Sequence, residues 1–348
     1  MSKNQAQAEK ITMTPDQLMT ALTFALKYNH NMLITGAPGV GKSDIVTQAT
    51  KALGYKLIIS HPVVSDPTDY KGLPFPTKGE NGTDKAEFLP FGELLELVNA
   101  TEETVFFLDD LGQAPASVQA AAMQLLLARR INGHVVSDKV RFIAATNRRQ
   151  DKAGVQGILE PVKSRFSAIV ELKVEYGDWK KWALQNNMPF DLVSFINYRN
   201  DLLHDFQPSS DIVGSPCPRT WHFVGKMLND GIPDVVEHQM IAGAVGDGPA
   251  AEFIAFRKIY QSLPNPDAII MNPDSVDVPD DPATRFALCG ALAGRASTTN
   301  LANVIKYTDR MGAEFSTMVL KDSFARDRSL ATAKAFHEWC AANKNVIM

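Results

Sequence analysis

The sequence lacks the features that mark secreted, membrane-spanning and fibrous proteins. Its 348 residues include only three cysteines, Cys217, Cys289 and Cys340. These are far apart and odd in number, so they cannot form a disulfide framework, and a reducing cytoplasm is the expected compartment. No apolar run reaches the length of about 18 residues that a membrane helix needs, and the polar N-terminal segment has no signal-peptide core. We therefore expect a cytoplasmic protein with no membrane association.

An excess of charge of either sign is also missing. The chain has 35 Lys and Arg against 39 Asp and Glu, a net charge of -4. This balance argues against a protein whose whole surface binds nucleic acid, although a local basic channel is compatible with it. Hydrophobic residues make up 45% and charged residues 21%, which is typical of globular proteins. A chain of this length predicts two or three domains.

Apolar runs and helical stretches alternate in the first half of the chain. The apolar runs are residues 31–35, 56–60, 104–109, 140–146 and 168–172. Nearly continuous apolar strands separated by helices predict a parallel sheet covered on both faces. Residues 61–92, rich in Pro, Gly and Asp, are interpreted as a long loop with short inserted pieces. Beyond residue 174 the pattern is mainly helical.

A glycine-rich turn lies between the first apolar run and the helix that follows it. The turn fits G-x-x-x-x-G-K-[ST] at every fixed position. Its residues are Gly36, Ala37, Pro38, Gly39, Val40, Gly41, Lys42 and Ser43. Glycines let backbone amides turn inward around a phosphate, and the helix N-terminus adds a positive dipole end. We expect Lys42 to reach the β- and γ-phosphates of ATP, and the Ser43 hydroxyl to bind Mg²⁺.

Two acidic residues end the third apolar run. Asp109 follows a buried strand, which is where a phosphate loop needs a carboxylate to hold the metal through water. Asp110 comes next and is expected to polarise the attacking water. Taken alone, such a pair is as often a turn or a helix cap. Beside a phosphate loop, the metal-binding interpretation is favoured.

Five stretches together resemble the AAA+ ATPases, and within them the MoxR-type group, which shares features with MCM helicases. In chain order they are GAPGVGKS, FFLDDLGQAPASVQAA, IAATN, EPVKSRF and CPRTW. The resemblance extends over roughly residues 12–230. It implies an α/β fold, a three-layer αβα P-loop NTPase domain with a parallel sheet of order 5-1-4-3-2, and then a helical lid. It also implies a hexameric ring with ATP between neighbouring subunits.

The resemblance also implies roles for single residues. Asn147 matches the polar sensor that orients the attacking water. Arg165 matches the arginine finger that reaches the γ-phosphate of the adjacent subunit, with Arg149 and Arg130 as rivals for that role. Arg219 matches the second sensor, which contacts the phosphates from the lid. One departure is Asp110, where the family usually has Glu; the shorter side chain bears on the rate of hydrolysis rather than on nucleotide binding.

The loop after the second apolar run has two interpretations. Ring ATPases direct loops at this position toward the central pore, and Tyr70 and Lys71 at such a tip could grip a polypeptide or a nucleic-acid strand. The alternative is a solvated loop with a packed tyrosine. The histidines have no metal-ligand spacing, so a structural role is favoured for them.

These features predict a Mg²⁺-dependent, ATP-hydrolysing ring ATPase that remodels or assembles a protein complex. The resemblance implies a chaperone-like role, often with a partner that carries a von Willebrand factor A domain, and a protein client rather than nucleic acid. Two alternatives stay open: a motor or loader acting on DNA, and a nucleotide-gated scaffold with weak hydrolysis. The expected parts are a disordered lead-in, the αβα core, the lid, a linker and a C-terminal helical block. Their ranges are 1–11, 12–176, 177–263, 264–282 and 283–348.

Overall fold

The chain divides into two compact units, with the boundary between Val174 and Glu175. The computed structural model describes residues 11–78, 83–151, 154, 157–208 and 211–343. The lead-in predicted for residues 1–11 lies outside the described residues except for Ile11. The carbonyl of Ile11 accepts a hydrogen bond from the Glu171 amide at 2.8 Å.

The first unit alternates strands and helices along the chain. Its elements are β1 (Thr12–Met13), α1 (Pro15–Lys27), β2 (Met32–Gly36), α2 (Lys42–Ala52), β3 (Lys56–Ser60), α3 (Pro67–Lys71), β4 (Leu73–Lys78), β5 (Asp84–Leu89), α4 (Gly92–Val98), β6 (Thr104–Leu108), α5 (Ala116–Ala128), β7 (Arg130–Ile131), β8 (His134–Val135), β9 (Val140–Asn147), α6 (Glu160–Lys163) and β10 (Ala168–Leu172). Short 3₁₀ helices span Leu111–Gln113 and Arg149–Asp151. The five predicted strands are confirmed.

Six parallel strands form the main sheet, in the order β1-β10-β2-β9-β6-β3. Without β1 this is the predicted order 5-1-4-3-2, since β2, β3, β6, β9 and β10 are the five predicted strands in chain order. The addition is β1, which extends the sheet beyond β10 and pairs Thr12 with Glu171. A strand of two residues is too short to leave a periodic pattern in the sequence.

Side chains of the central strands point alternately into two apolar cores, one on each face of the sheet. On β6, Phe106 and Leu108 belong to one buried cluster. Val105 and Phe107 belong to the other, together with residues of α1 and α2. Because both faces are covered, every residue of β6 is buried, which explains why its sequence is an apolar run rather than an alternating one. The three-layer αβα fold is thereby confirmed.

Residues 61–92 differ from the predicted long loop, because they contain α3 and the antiparallel hairpin β4–β5. Asp66 caps α3 by accepting from the Thr68 amide at 2.9 Å, and Pro67 occupies the first turn. Tyr70 is buried with its hydroxyl 2.9 Å from Ser60 Oγ. The prediction that Tyr70 is exposed and grips a client is therefore wrong, and the alternative, a packed tyrosine, is confirmed.

Among its described residues, the second unit contains helices and no strands. Its helices are α7 (Tyr176–Gln185), α8 (Phe190–Tyr198), α9 (Pro218–Asn229), α10 (Asp234–Val245), α11 (Asp247–Gln261), α12 (Pro266–Met271), α13 (Pro282–Arg295), α14 (Leu301–Asp309), α15 (Ala313–Arg326) and α16 (Lys334–Ala342), with 3₁₀ turns at Asn200–Leu203 and Arg328–Thr332. The stretch 264–282, predicted as a linker, includes α12. Ile269 of that helix is fully buried in a cluster with Leu288 and Val304, so this stretch packs into the helical core.

Candidate functional site

The phosphate loop connects the end of β2 to the start of α2. Gly41 caps α2 in the left-handed region, with φ 97°, a conformation that glycine adopts without steric cost. Gly36 is closely enclosed, because a Cβ there would lie 3.2 Å from the Leu172 carbonyl oxygen and 3.3 Å from Val40 Cγ2. The backbone conformation at Gly41 and the close packing at Gly36 therefore favour glycine at both positions.

Lys42, in the first turn of α2, is buried with 6% of its surface exposed. Its ammonium group donates to the backbone carbonyls of Gly36 at 3.2 Å and Ala37 at 2.9 Å. It also donates to Asn147 Oδ1 at 2.8 Å. A buried ammonium is stable only with such acceptors around it. The lysine charge is therefore held at the centre of the loop, where a phosphate would be bound.

Ser43 and Asp109 meet between α2 and the end of β6. The Ser43 hydroxyl donates to Asp109 Oδ2 at 2.7 Å, and the Asp109 amide donates to the Ser60 carbonyl at 2.9 Å. These oxygens are of the type that Mg²⁺ prefers. Among the described residues, no group of three or more His, Cys, Asp or Glu side chains is arranged to hold a metal. A Mg²⁺ ion here would therefore take its other ligands from water and nucleotide phosphates, as Mg²⁺ commonly does.

Asp110 and Asn147 form a second polar contact next to the first. Asn147 Nδ2 donates to Asp110 Oδ1 at 3.1 Å, so Asn147 contacts both Lys42 and the acid. Asp110 lies in the left-handed region with φ 56° and ψ 33°, which Asp tolerates better than most residues. The turn directs the short carboxylate toward the end of β9.

The sheet explains why these side chains converge. Gly36 is paired with Asn147 where β2 and β9 end, and β6, which precedes Asp109, lies on the other side of β9. Parallel strands end at one edge, and ligands of open α/β sheets bind outside their carboxyl ends. The structure thus brings together the predicted Lys42, Ser43, Asp109, Asp110 and Asn147.

Arg165 lies at the opposite edge of the sheet. Its backbone carbonyl accepts from Asn31 Nδ2 at 3.3 Å, and Asn31 directly precedes the first residue of β2. Its guanidinium folds back on the Pro161 carbonyl and contacts Ser164 Oγ. The predicted finger is therefore separated from the phosphate loop of its own chain by the length of β2.

The rival and lid arginines are exposed. Arg149 and Arg130 are exposed residues of the first unit, and Arg219 is an exposed residue in the first turn of α9 in the second unit. The roles of Arg165 and Arg219 in binding nucleotide stay predictions.

Arg148 also stabilises the site, although it is not among the residues predicted from the sequence. Its guanidinium makes two contacts of 2.8 Å with Asp151 and one of 3.1 Å with Glu171 on β10. Hydrogen bonds and charge from these carboxylates raise the pKa of Arg148. The contact between Arg148 and Glu171 links the chain just after Asn147 to strand β10. In the sequence, the signal for this ion pair is an Arg followed three residues later by an Asp.

Comparison with known proteins identifies part of the first unit. Residues 31–166 match the family model of the AAA domain, dynein-related subfamily. The matched residues include the phosphate loop, both acids, Asn147 and Arg165.

Individual relatives are distant. Midasin of Giardia intestinalis is 29% identical over 182 residues, which are 49% of this chain and 4% of midasin, so the match spans a small part of that protein. A RuvB mutant of Thermotoga maritima has a TM-score of 0.43 at 16% identity, covering 81% of this chain and 84% of its own. A protein described as a putative ATPase from Cytophaga hutchinsonii has a TM-score of 0.34 at 13% identity, covering 90% of this chain and 81% of its own. Among the described residues, no helix has the length and apolar character needed to cross a membrane.

Proposed function

We propose that this protein is a Mg²⁺-dependent ring ATPase of the MoxR type that remodels or assembles a protein complex in the cytoplasm. The observation that carries the proposal is the set of contacts among Lys42, Asn147 and Asp110, beside the Ser43–Asp109 pair. A phosphate-binding cation, a carboxylate at the metal position and a second carboxylate oriented by an amide are the parts that phosphoryl transfer to water requires.

Each residue has a separate task in this proposal. The loop amides and Lys42 bind the phosphates of ATP, and Ser43 and Asp109 hold Mg²⁺, which neutralises charge on the phosphate oxygens. Asp110 accepts a proton from the attacking water, while Asn147 keeps the carboxylate and that water in line. Asn147 and the lysine must part to some extent when a phosphate enters, because Asn147 Oδ1 occupies one hydrogen-bonding position of the ammonium group.

The position of Arg165 supports a ring. Strand β2 has five residues, roughly 16 Å at 3.3 Å per residue, and it separates the Arg165 backbone from the phosphate loop of the same chain. This is farther than an arginine side chain extends. Arg165 would therefore serve the nucleotide of a second copy, and repeating that head-to-tail contact closes a ring. A ring of this kind, a von Willebrand factor A-domain partner and a protein client are implied by the MoxR resemblance.

A second candidate is a nucleotide-gated scaffold that hydrolyses ATP slowly. It is supported by Asp110, whose carboxylate is one methylene shorter than the Glu of related ATPases, and by the engagement of Lys42 with Asn147. The two candidates differ in the turnover rate of the assembled protein.

Replacing Lys42 with Ala tests the core of the proposal. We expect ATP turnover to fall by roughly a hundredfold or more, because the buried cation at the phosphates is lost. Lys51→Ala, an exposed lysine in the last turn of α2, is the matched control and should keep wild-type turnover. Full activity of Lys42→Ala would remove the phosphate-loop assignment.

The metal assignment has its own test at Ser43. Ser43→Ala should raise the Mg²⁺ concentration required for half-maximal turnover by about tenfold or more, since one oxygen ligand is removed. Ser43→Thr keeps the hydroxyl and should behave as wild type. Equal Mg²⁺ dependence of the two variants would count against a ligand role for Ser43.

A further inference from the structure

Gln119 is a buried polar side chain on α5 that takes no part in the site described above. Only 1% of its surface is exposed. Its Nε2 donates to the carbonyls of Ala114 at 3.1 Å and Gly157 at 2.9 Å, and its Oε1 accepts from the Leu159 amide at 3.0 Å. Every one of these partners is a backbone group, and two of them lie about forty residues further along the chain. Gln119 therefore fixes the path of the segment 157–159.

That segment leads directly to Arg165. Leu159 caps α6, which has four residues, and Arg165 follows shortly after. A helix of one turn has little stability of its own in water, so its position depends on what holds it. Buried Val162 and Phe166 pack α6 against the core, and Gln119 fixes its entry. The direction in which α6 presents Arg165 is thus set partly by Gln119.

The same segment contacts the turn that carries the catalytic acid. The Gly157 amide donates to the Gly112 carbonyl at 3.2 Å, and Gly112 comes two residues after Asp110. Gly112 packs closely on β9, since a Cβ there would overlap Thr146 Oγ1. Segment 157–159 is therefore anchored to the base of the Asp110 turn on one side and to Gln119 on the other.

We propose that Gln119 is a positioning residue for Arg165, which it orients toward the nucleotide of the neighbouring copy by holding segment 157–159. The inference rests on the proposed function, in which Arg165 acts between subunits. A buried amide would cost free energy without partners, and here both of its polar atoms are engaged. Replacing it with an apolar side chain leaves two carbonyls and one amide unpaired, and the segment must shift to recover them.

The test mixes two inactive variants so that each supplies one half of an active site. A Lys42→Ala copy keeps Arg165 but cannot bind phosphates, and an Arg165→Ala copy keeps the phosphate loop. Turnover in the mixture comes only from interfaces that join the two. Gln119→Met, which keeps the side-chain length, is then added to one copy at a time. Gln124→Met, an exposed glutamine on the same helix, is the matched control in both positions.

We expect Gln119→Met to lower turnover of the mixture by roughly tenfold or more when it is in the Lys42→Ala copy, since small displacements of a catalytic group have such effects. In the Arg165→Ala copy it should change turnover by less than about threefold. An equal or larger loss in the Arg165→Ala copy, or no loss in either, would overturn the proposal. If the mixture without Gln119→Met fails to regain turnover, the proposed intersubunit role of Arg165 fails instead.

Folding is controlled separately. Circular dichroism of each Gln119→Met protein should match that of its parent variant, and the Arg165→Ala copy that carries Gln119→Met should also bind nucleotide with unchanged affinity. If Gln119→Met does not fold, Gln119→Asn replaces it, because its amide keeps a donor and an acceptor but is one methylene shorter and reaches the segment less well. Gln119→Asn should then give a smaller loss in the same copy, and a loss confined to the other copy would again contradict the proposal.

Discussion

At the scale of single residues, the site is built from short polar contacts between side chains that are remote in sequence. Lys42, Asn147 and Asp110 form one chain of hydrogen bonds, and Ser43 with Asp109 forms another. Asn147 Nδ2 already holds the Asp110 carboxylate in place, so little reorganisation of the acid is required. Preorganised polar groups of this kind account for much of the rate enhancement in enzymes.

The contact between Asp110 and Asn147 predicts the effect of restoring the glutamate of related ATPases. Asp110→Glu should raise ATP turnover by no more than about threefold. The carboxylate already reaches Asn147 at 3.1 Å, and a longer side chain would have to occupy a left-handed backbone position that costs most residues roughly 1–2 kcal/mol. Steady-state turnover of assembled protein measures this. A gain of a hundredfold would favour the slow scaffold over the active ATPase.

Much of the site could be predicted from the sequence because each of its motifs is a short continuous stretch. The phosphate loop has a fixed spacing, and the two acids directly follow a buried strand. Gln119 and Arg148 could not be predicted, since their roles depend on contacts with Gly157, Leu159 and Glu171 that only the folded chain creates. The burial of Tyr70 likewise depends on Ser60, on a strand ten residues earlier in the chain.

At the scale of elements, strong apolar strands were predicted well and weakly patterned ones were not. The hairpin β4–β5 has Pro74 and Pro76 in one strand and is largely exposed, so neither alternation nor β-propensity marked it. Helix α12 was not predicted, because it lies in a stretch rich in proline and aspartate. Prolines there begin helices, as Pro266 does for α12 and Pro282 does for α13, because proline fits the first turn.

The link between the end of β9 and β10 predicts a stability effect of Arg148. Arg148→Met should lower the free energy of unfolding by about 2 kcal/mol, because it leaves the buried Asp151 without its counter-charge. Arg149→Met, at an exposed position next to it, should change the value by less than about 0.5 kcal/mol. Chemical denaturation followed by circular dichroism measures both, and equal effects would show that the ion pair contributes nothing.

The helical unit contains a largely buried ion pair between Lys180 and Asp322. Lys180 on α7 lies 2.5 Å from Asp322 on α15. Burial raises the pKa of Asp322, and the charge of Lys180 lowers it. Lys180→Met removes the opposing charge, so the folded-state pKa of Asp322 should rise further above the unfolded value, which is near 4. Stability is lost as pH rises through such a raised pKa.

We therefore expect Lys180→Met to destabilise the helical unit by about 3 kcal/mol at pH 8, with a smaller deficit at pH 5. Lys258→Met, at an exposed lysine of the same unit, should show no such trend. Trp179, Trp182, Trp221 and Trp339 all lie in this unit, so tryptophan fluorescence during urea denaturation reports on it selectively. A deficit that is constant with pH would contradict an ionised Asp322.

At the scale of the whole molecule, the predicted site residues of the first unit lie at two opposite edges of its sheet. Its phosphate site lies where the strands end, and Arg165 lies where β2 and β10 begin. The proposed role of Arg165 therefore requires copies that contact head to tail, because a single copy cannot bring both edges to one nucleotide. The net charge of -4 describes the chain as a whole and leaves room for a differently charged surface within an assembly.

The most direct test of this account is ATP turnover by an equal mixture of Lys42→Ala and Arg165→Ala. Each variant alone should hydrolyse ATP at less than about one hundredth of the wild-type rate, since an arginine finger is worth roughly 10³ or more in rate. The mixture should regain a substantial fraction of wild-type turnover, because some interfaces join an intact phosphate loop to an intact Arg165. Full activity of Arg165→Ala alone, or a mixture as inactive as its components, would contradict a site shared between copies.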